Sequence, residues 1–139
     1  MFNPVCAMEI VKSVETSCCH TLVLTSFGSV YSCGDGSDGQ LGHGSLDSYK
    51  YLRHINSFRK KDGNLIVITQ VSAGADESSS HSAAIDSDGN LYLWGKAVLC
   101  GNIGYEIAST GVKKGGIRSK RGDPVILPCQ VQYLKVTNS

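Results

Sequence analysis

The feature that most constrains this chain is that it contains itself. Sliding the sequence by 61 positions aligns SCCHTLVLTSFGSVYSCGDG, from Ser17, with SSSHSAAIDSDGNLYLWGKA, from Ser78, without a gap. Ser17/Ser78, His20/His81, Ser26/Ser87, Gly28/Gly89, Tyr31/Tyr92 and Gly34/Gly95 are identical, while Leu24/Ile85 and Val30/Leu91 keep their apolar character. A period of this length marks a repeat array, in which each unit buries its apolar faces only against its neighbours.

Each copy reads as a hairpin. A strand over 21–25 or 82–86 is followed by Ser-x-Gly and a second strand over 29–33 or 90–94. Gly28 and Gly89 fit the positive-φ position of a short hairpin loop, where a side chain would cost strain. Leu22, Val23 and Leu24 put apolar groups on both faces of the first strand, which places it inside a stack of sheets. Sixteen glycines against three prolines, with short apolar runs between them, favour tight turns between short strands over long helices. The expected class is all-β, and 139 residues suit one modest unit rather than two ordinary domains.

Bulk charge excludes several partner classes. Thirteen Lys and Arg against twelve Asp and Glu leave a formal net charge of +1, so no overall field favours nucleic acid, an anionic membrane or a cationic partner. Cysteines at 6, 18, 19, 33, 100 and 129 form no CxxC pair, which argues against a zinc finger or ribbon. There is no signal-peptide pattern and no N-x-[ST] acceptor, and the apolar run near Leu65 to Ile68 is too short to span a bilayer. The expectation is a soluble chain with reduced thiols, cytoplasmic or nuclear, with a disulfide framework as the lesser alternative.

The repeat also ranks the motifs that tempt. Cys18-Cys19-His20 suggests a metal corner or a thiol beside its base, yet Ser79 and Ser80 stand opposite the two cysteines in the second copy. The cysteines therefore read as small packing groups. His20 and His81 recur without a recurring acid or thiol, and read as hydrogen-bonding groups that lock loop to strand. Residues 34–39, GDGSDG, satisfy G-x-G-x-x-G after a strand, but no helical pattern follows and Asp35 and Asp38 would repel a pyrophosphate. Asp86-Ser87-Asp88-Gly89 lacks the ligand spacing of a calcium loop. No local frame assembles His43, His54 and the serines into a hydrolase triad. The reading is no catalytic residue, no cofactor and no metal. One local cluster stands out: Lys113, Lys114, Arg118, Lys120 and Arg121 place five of the thirteen basic residues within nine positions, either a solvated loop or a patch for an anionic partner.

The pattern His-[Thr/Ser]-x-x-x-x-Ser-x-Gly-x-[Val/Leu]-Tyr-x-[aromatic]-Gly, followed by GDGSDGQLGHG at 34–44, resembles the regulator of chromosome condensation repeat family. Gly39-Gln40-Leu41-Gly42 is its most specific part, and Asn3-Pro4-Val5 and Asp123-Pro124-Val125 look like the openings of successive units. The chain departs from the pattern at Cys33, where the second copy has Trp94, at Leu99-Cys100-Gly101 in place of Gln-Leu-Gly, and in the ADESSS insertion from Ala75. The resemblance implies a partial β-propeller of antiparallel four-stranded blades. Its structural repeat positions are His20, Gly28, Tyr31, Gly34, Gly39, Gln40, Leu41 and Gly42, then His81, Gly89, Tyr92, Trp94 and Gly95. On this phase the first repeat spans 4–50, the second 51–112, a basic loop 113–123, and the start of a third repeat 124–139, with the remaining blades expected from a longer chain.

Such propellers are expected to act as non-catalytic protein-interaction scaffolds. The alternative that the resemblance implies is guanine nucleotide exchange on a Ran-type small GTPase, with chromatin or nucleic acid as a further partner. No exchange residue carries over to this sequence.

Overall fold

The computed structural model describes residues 8–75, 80–96 and 124–135. Eight strands alternate with turns: β1 (Val11–Thr16), β2 (His20–Thr25), β3 (Val30–Gly34), β4 (Tyr49–His54), β5 (Ile68–Ala75), β6 (Ser80–Asp86), β7 (Asn90–Lys96) and β8 (Pro124–Lys135). They form two antiparallel four-stranded sheets, ordered β1-β2-β3-β4 and β5-β6-β7-β8. These are successive propeller blades. No helix among the described residues is long and apolar enough to cross a membrane.

The repeated hairpins are the central pairs, β2–β3 and β6–β7, in matching register: His20 faces Gly34 and His81 faces Gly95. Each turn closes with the glycine amide donating to the carbonyl three residues back, Gly28 to Thr25 and Gly89 to Asp86. Gly28 has φ +75° and Gly89 φ +82°, as the turn chemistry requires.

Blade packs on blade through one apolar core. Leu22 and Leu24 from β2, Val30 from β3 and Ile55 just past β4 meet Ile68, Ala84, Tyr92 and Trp94 of the second sheet. Phe58, in the connection between blades, lies edge-on to Tyr92 (5.3 Å) and Trp94 (5.7 Å), a favoured aromatic geometry. Alternation along β6, with Ser80, Ser82, Ala84 and Asp86 buried and the residues between them half-buried, shows that one face of that strand meets the first blade.

Blade limits differ from the sequence phase. Residues 124–135, where the sequence phase starts a third repeat, lie in the second sheet, where β7 needs a partner on its outer side and Tyr92 pairs with Gln130 and Gly95 with Val125. Residues 51–54 likewise belong to the first blade, where Tyr31 pairs with His54 and Gly34 with Tyr49. The sequence unit counts from one Pro-Val to the next, whereas a sheet is counted by its hydrogen bonds. The Asn3-Pro4-Val5 opening, residues 76–79 of the insertion, Leu99-Cys100-Gly101 and the basic stretch all lie outside the described residues.

The registers also locate the length difference between the copies. Tyr49 lies 15 residues after Gly34, whereas Val125 lies 30 after Gly95, so the second connection from third to fourth strand is 15 residues longer. That extra length spans the stretch holding Lys113 to Arg121.

Gly28 carries two constraints at once. A Cβ there would sit 2.5 Å from Val67 Cγ1 and 3.0 Å from the Ile68 amide, whereas Gly63, at φ +87°, has nothing within 4 Å. Gly63→Val therefore isolates the backbone penalty, about 1–2 kcal/mol, and Gly28→Val adds the collision with the second blade for about 2–4 kcal/mol in all. Urea denaturation of both variants checks the ranking; equal losses would remove the inter-blade part of the explanation.

Candidate functional site

Five of the repeat positions converge at the seam between the blades. Their centre is a main-chain carbonyl. Gln40 O accepts the Trp94 indole N–H at 2.8 Å and the Ser82 hydroxyl at 2.8 Å, both from the second blade. Both lone pairs of this buried acceptor are thus satisfied. One residue on, Leu41 O accepts the Ser32 hydroxyl at 2.7 Å. Ser32, Ser82 and Gln40 are each 0% exposed, a polar layer buried beside the apolar core.

The loop that presents these carbonyls needs its glycines. Gly42 has φ +77°, and a Cβ there would lie 2.9 Å from Trp94 Nε1, so only glycine lets the chain pass under the indole. Further fasteners flank the centre: Asp38 Oδ2 accepts the Ser80 amide at 3.0 Å, and the Gly44 amide donates to Ile126 O at 2.9 Å. Asp38 N donates to Gln40 Oε1 at 2.9 Å, which holds the glutamine side chain inside its own turn. The connection from β3 to β4 is therefore a clasp thrown from the first blade onto the second.

His20 completes the seam. Its Nε2 lies 2.9 Å from Ser82 Oγ and its Nδ1 2.7 Å from Ser17 Oγ. Because the one Ser82 hydroxyl hydrogen goes to Gln40 O, Nε2 carries the proton and Nδ1 accepts from Ser17. The ring is neutral. Burial, then the nearby His81, push its pKa down to about 4, with Asp35 pulling weakly the other way. Such a histidine ties Ser17 to the next blade, with both ring nitrogens engaged. His43 is held similarly, with Nε2 2.8 Å from Ser32 Oγ and its pKa lowered by burial and then by Arg53.

The opening cysteine pair separates. Cys18 is exposed, whereas Cys19 turns inward, its sulfur 2.9 Å from Ser80 Oγ across the seam. Cys19 Sγ is 3.9 Å from His20 Nδ1, which Ser17 holds at 2.7 Å. Among the described residues no cluster of three or more His, Cys, Asp or Glu could hold a metal. In the G-x-G-x-x-G stretch, Asp35 accepts the Ser37 amide and the Ser37 and Ser48 hydroxyls, so its carboxylate braces the turn.

A second device lies under each hairpin. In the second blade Asp86 accepts from the Asp88 and Asn90 amides, Asn90 Nδ2 and the Tyr92 hydroxyl. Burial pushes its carboxyl up, but these donors outweigh it and hold the pKa below the usual range. Burial and the same carboxylate push the Tyr92 hydroxyl well above its ordinary value. In the first blade the equivalent residue is Thr25, and Glu9 supplies the carboxylate instead, accepting Thr25 Oγ1 at 2.6 Å and Tyr31 OH at 3.2 Å. Thr25, then Tyr31, lower the Glu9 pKa.

Of the repeat positions marked in the sequence, His20, Gln40, Leu41, Gly42 and Trp94 meet at the seam. Gly28 and Gly89 sit in the turns, and Tyr31 and Tyr92 on the two carboxylates. Gly34, at φ +108°, and Gly95, at φ +102°, face the histidine strands, where a Cβ would collide with Cys19 O and Ser80 O, and Gly39 packs under Val125 and Ile126. His81 lies against Gly74. Sequence reasoning missed Ser32, Ser82, Asp38 and Cys19. Ser82 alone left a trace, since Thr21, its counterpart, is also a hydroxyl.

Blade geometry and seam define a β-propeller repeat protein. Two profiles of the regulator of chromosome condensation (RCC1) repeat match residues 28–85 and 11–40, and the chain belongs to that family. It is 36% identical over 107 residues to the E3 ubiquitin-protein ligase HERC2 of Mus musculus, covering 77% of this chain and 2% of that protein. It is 36% identical over 110 residues to the X-linked retinitis pigmentosa GTPase regulator of Mus musculus, covering 76% of this chain and 10% of that protein. The fold superposes on Prp20p of Saccharomyces cerevisiae, whose structure was reported with its binding to Gsp1p and histones, with a TM-score of 0.61 at 19% identity, over 93% of this chain and 27% of that one. The chain thus spans a small part of each of these three proteins.

Two measurements test the seam. Trp94→Phe keeps an aromatic ring but leaves Gln40 O one donor short, and should cost about 2–3 kcal/mol in urea denaturation; a loss under about 0.5 kcal/mol would show the indole bond to be dispensable. For His20 the sign is fixed by its depressed pKa: between pH 6.5 and about 4 the unfolded chain binds a proton that the folded one refuses. Stability should be full above pH 6.5 and fall on the order of 2–3 kcal/mol by pH 4. His20→Gln should flatten that slope, and an unchanged slope would move its origin elsewhere.

Proposed function

We propose that this chain is a non-catalytic interaction module, two blades of a propeller whose further blades a longer chain supplies, acting in the cytoplasm or nucleus. The observation that carries this reading is the commitment of the buried polar residues to the frame. His20, Gln40, Ser82 and Trp94 hold blade to blade, and Asp86 and Tyr92 hold turn to strand. A frame braced in this way leaves recognition to loops and exposed edges. On this reading Lys113, Lys114, Arg118, Lys120 and Arg121 form a partner-binding segment in the longer of the two strand connections, suited to an acidic protein surface or a nucleic-acid backbone.

A second reading, nucleotide exchange on a Ran-type small GTPase with chromatin binding, draws support from Prp20p, reported as binding Gsp1p and histones, and from the relative named a GTPase regulator. Release of labelled nucleotide from a Ran-type GTPase separates the two. The module should leave release at its intrinsic rate; acceleration at catalytic concentrations would overturn the non-catalytic reading. Neutralising the five basic residues together should weaken partner retention and flatten its salt dependence, with the melting temperature nearly unchanged. Equal retention at low salt by wild type and the fivefold variant would leave that segment a passive loop.

A further inference from the structure

We propose that a cleft at the rim of the seam binds a single phosphomonoester, carried on a hydroxyl side chain of a protein partner. The partner half of this rests on the interaction-module reading and deepens it. The cleft, of about 270 Å³, draws on both blades: the clasp contributes His43, the end of β4 Arg53 and His54, the turn after it Asn56 and Ser57, and β8 of the second blade Leu127. No carboxylate lines it.

Its donors are uncommitted. Among the described residues Arg53 makes no hydrogen bond or ion pair; its guanidinium stacks over the Tyr49 ring at 4.6 Å, which orders the fork without using its N–H groups. Asn56 Oδ1 lies 2.6 Å from His54 Nδ1 and takes its hydrogen, which leaves the Asn56 NH₂ group to the cleft. The Ser57 hydroxyl is likewise without a partner among the described residues. His43 is a wall: its Nε2 is held by Ser32, and its ring stands edge-on to Tyr49 at 5.3 Å.

The site also lies clear of what a neighbouring blade covers. The glycines of the clasp rest on Val125 to Pro128. With Gly34 paired to Tyr49 and Gly95 to Val125, a clasp from a preceding blade would reach residues 49–52 and stop short of Arg53. Arg53 pairs with Ser32, whose hydroxyl turns to the clasp, so its side chain stands on the side of the second blade. His54 shares the other side with Tyr31, but Gln130, its counterpart, stays exposed with the first blade in place. Cys129 occupies the position of Arg53 in the second blade, so the frame itself does not require a cation there.

Chemistry selects the ligand. A phosphomonoester brings close to two charges and three terminal oxygens, a match for a guanidinium fork with separate amide and hydroxyl donors; a carboxylate offers two oxygens. The volume is below the range of about 300–1,000 Å³ usual for small-molecule pockets, which suits one phosphorylated side chain, its carbon stem against Leu127. A nucleic-acid backbone needs a track of cations, and this cleft holds one guanidinium.

The test is NMR titration of the 139-residue chain with N-acetyl-phosphoserine amide, with its unphosphorylated form and with inorganic phosphate. The blocked phosphoserine should bind saturably and shift the Arg53 Nε–H, Asn56 side-chain and Ser57 amide signals, which the unphosphorylated form should leave in place. Arg53→Gln should weaken binding about tenfold or more, whereas Lys61→Gln, outside the cleft, should change it by less than about twofold. Should Arg53→Gln lower the melting temperature, Ser57→Asp gives a second test, because a carboxylate there repels the phosphate and should also weaken binding about tenfold. Absence of saturable binding, equal weakening by Arg53→Gln and Lys61→Gln, or inorganic phosphate bound as tightly as the blocked phosphoserine would overturn the proposal. A single-stranded oligonucleotide that bound more tightly and shifted the same signals would overturn it in favour of nucleic acid. Partners retained equally by wild type and Arg53→Gln in a pull-down would remove the cleft from partner recognition and leave the interaction-module reading standing.

Discussion

The geometry of the chain depends on one peptide carbonyl. Gln40 O lies in a glycine-bracketed turn of the first blade and takes both its hydrogens from the second, one from an indole and one from a hydroxyl. A buried carbonyl left with no donor costs more than its bond returns when made, so the seam is an obligation as well as an attraction. Hydrophobic burial of Leu22, Ile55, Ile68 and Trp94 brings the sheets together. It does not set the angle or slide between them, because apolar contact lacks direction. The directional part comes from the polar layer of Ser32, Gln40 and Ser82. Connected networks of this kind are lost together when one member is lost, which favours a single arrangement of the blades.

The same layer accounts for the ionisation of the seam. A neutral imidazole at His20 suits a site where one nitrogen must donate and the other accept, and a charged ring would have two donors where the pattern leaves room for one. The carboxylates behave oppositely. Asp86 and Asp35 each gather several donors that hold them ionised, one beneath a hairpin and one within the clasp. His20, Asp86 and Asp35 are therefore held in their charge states around neutral pH by what they brace.

The hairpins were legible because the same residues recur 61 positions apart, and recurrence separates requirement from accident. Turn glycines and the strand alternation followed from local chemistry. The seam was less visible. A main-chain carbonyl has the same formula at every residue, so nothing in the letters marks Gln40 as the shared acceptor, and Ser32 has no hydroxyl counterpart in the second copy, where Leu93 stands. Blade limits were hidden for a related reason: Pro124-Val125 looks like an opening by composition, but strand pairing belongs to the sheet as a whole, and β7 takes residues 124–135 as its neighbour.

The carboxylate beneath each tyrosine bears on how such arrays are divided. In one blade it arrives from within the hairpin, at Asp86, and in the other from Glu9, before the first strand begins. What the fold conserves is an acidic oxygen in a place in space, delivered along the chain by whichever residue can reach it. Alignment column by column would score Thr25 as a lost feature and Glu9 as an ornament, and a cut made at the first strand would discard a working part of the blade. Modules of this kind are better delimited by the chemistry each must contain than by the letters at its borders.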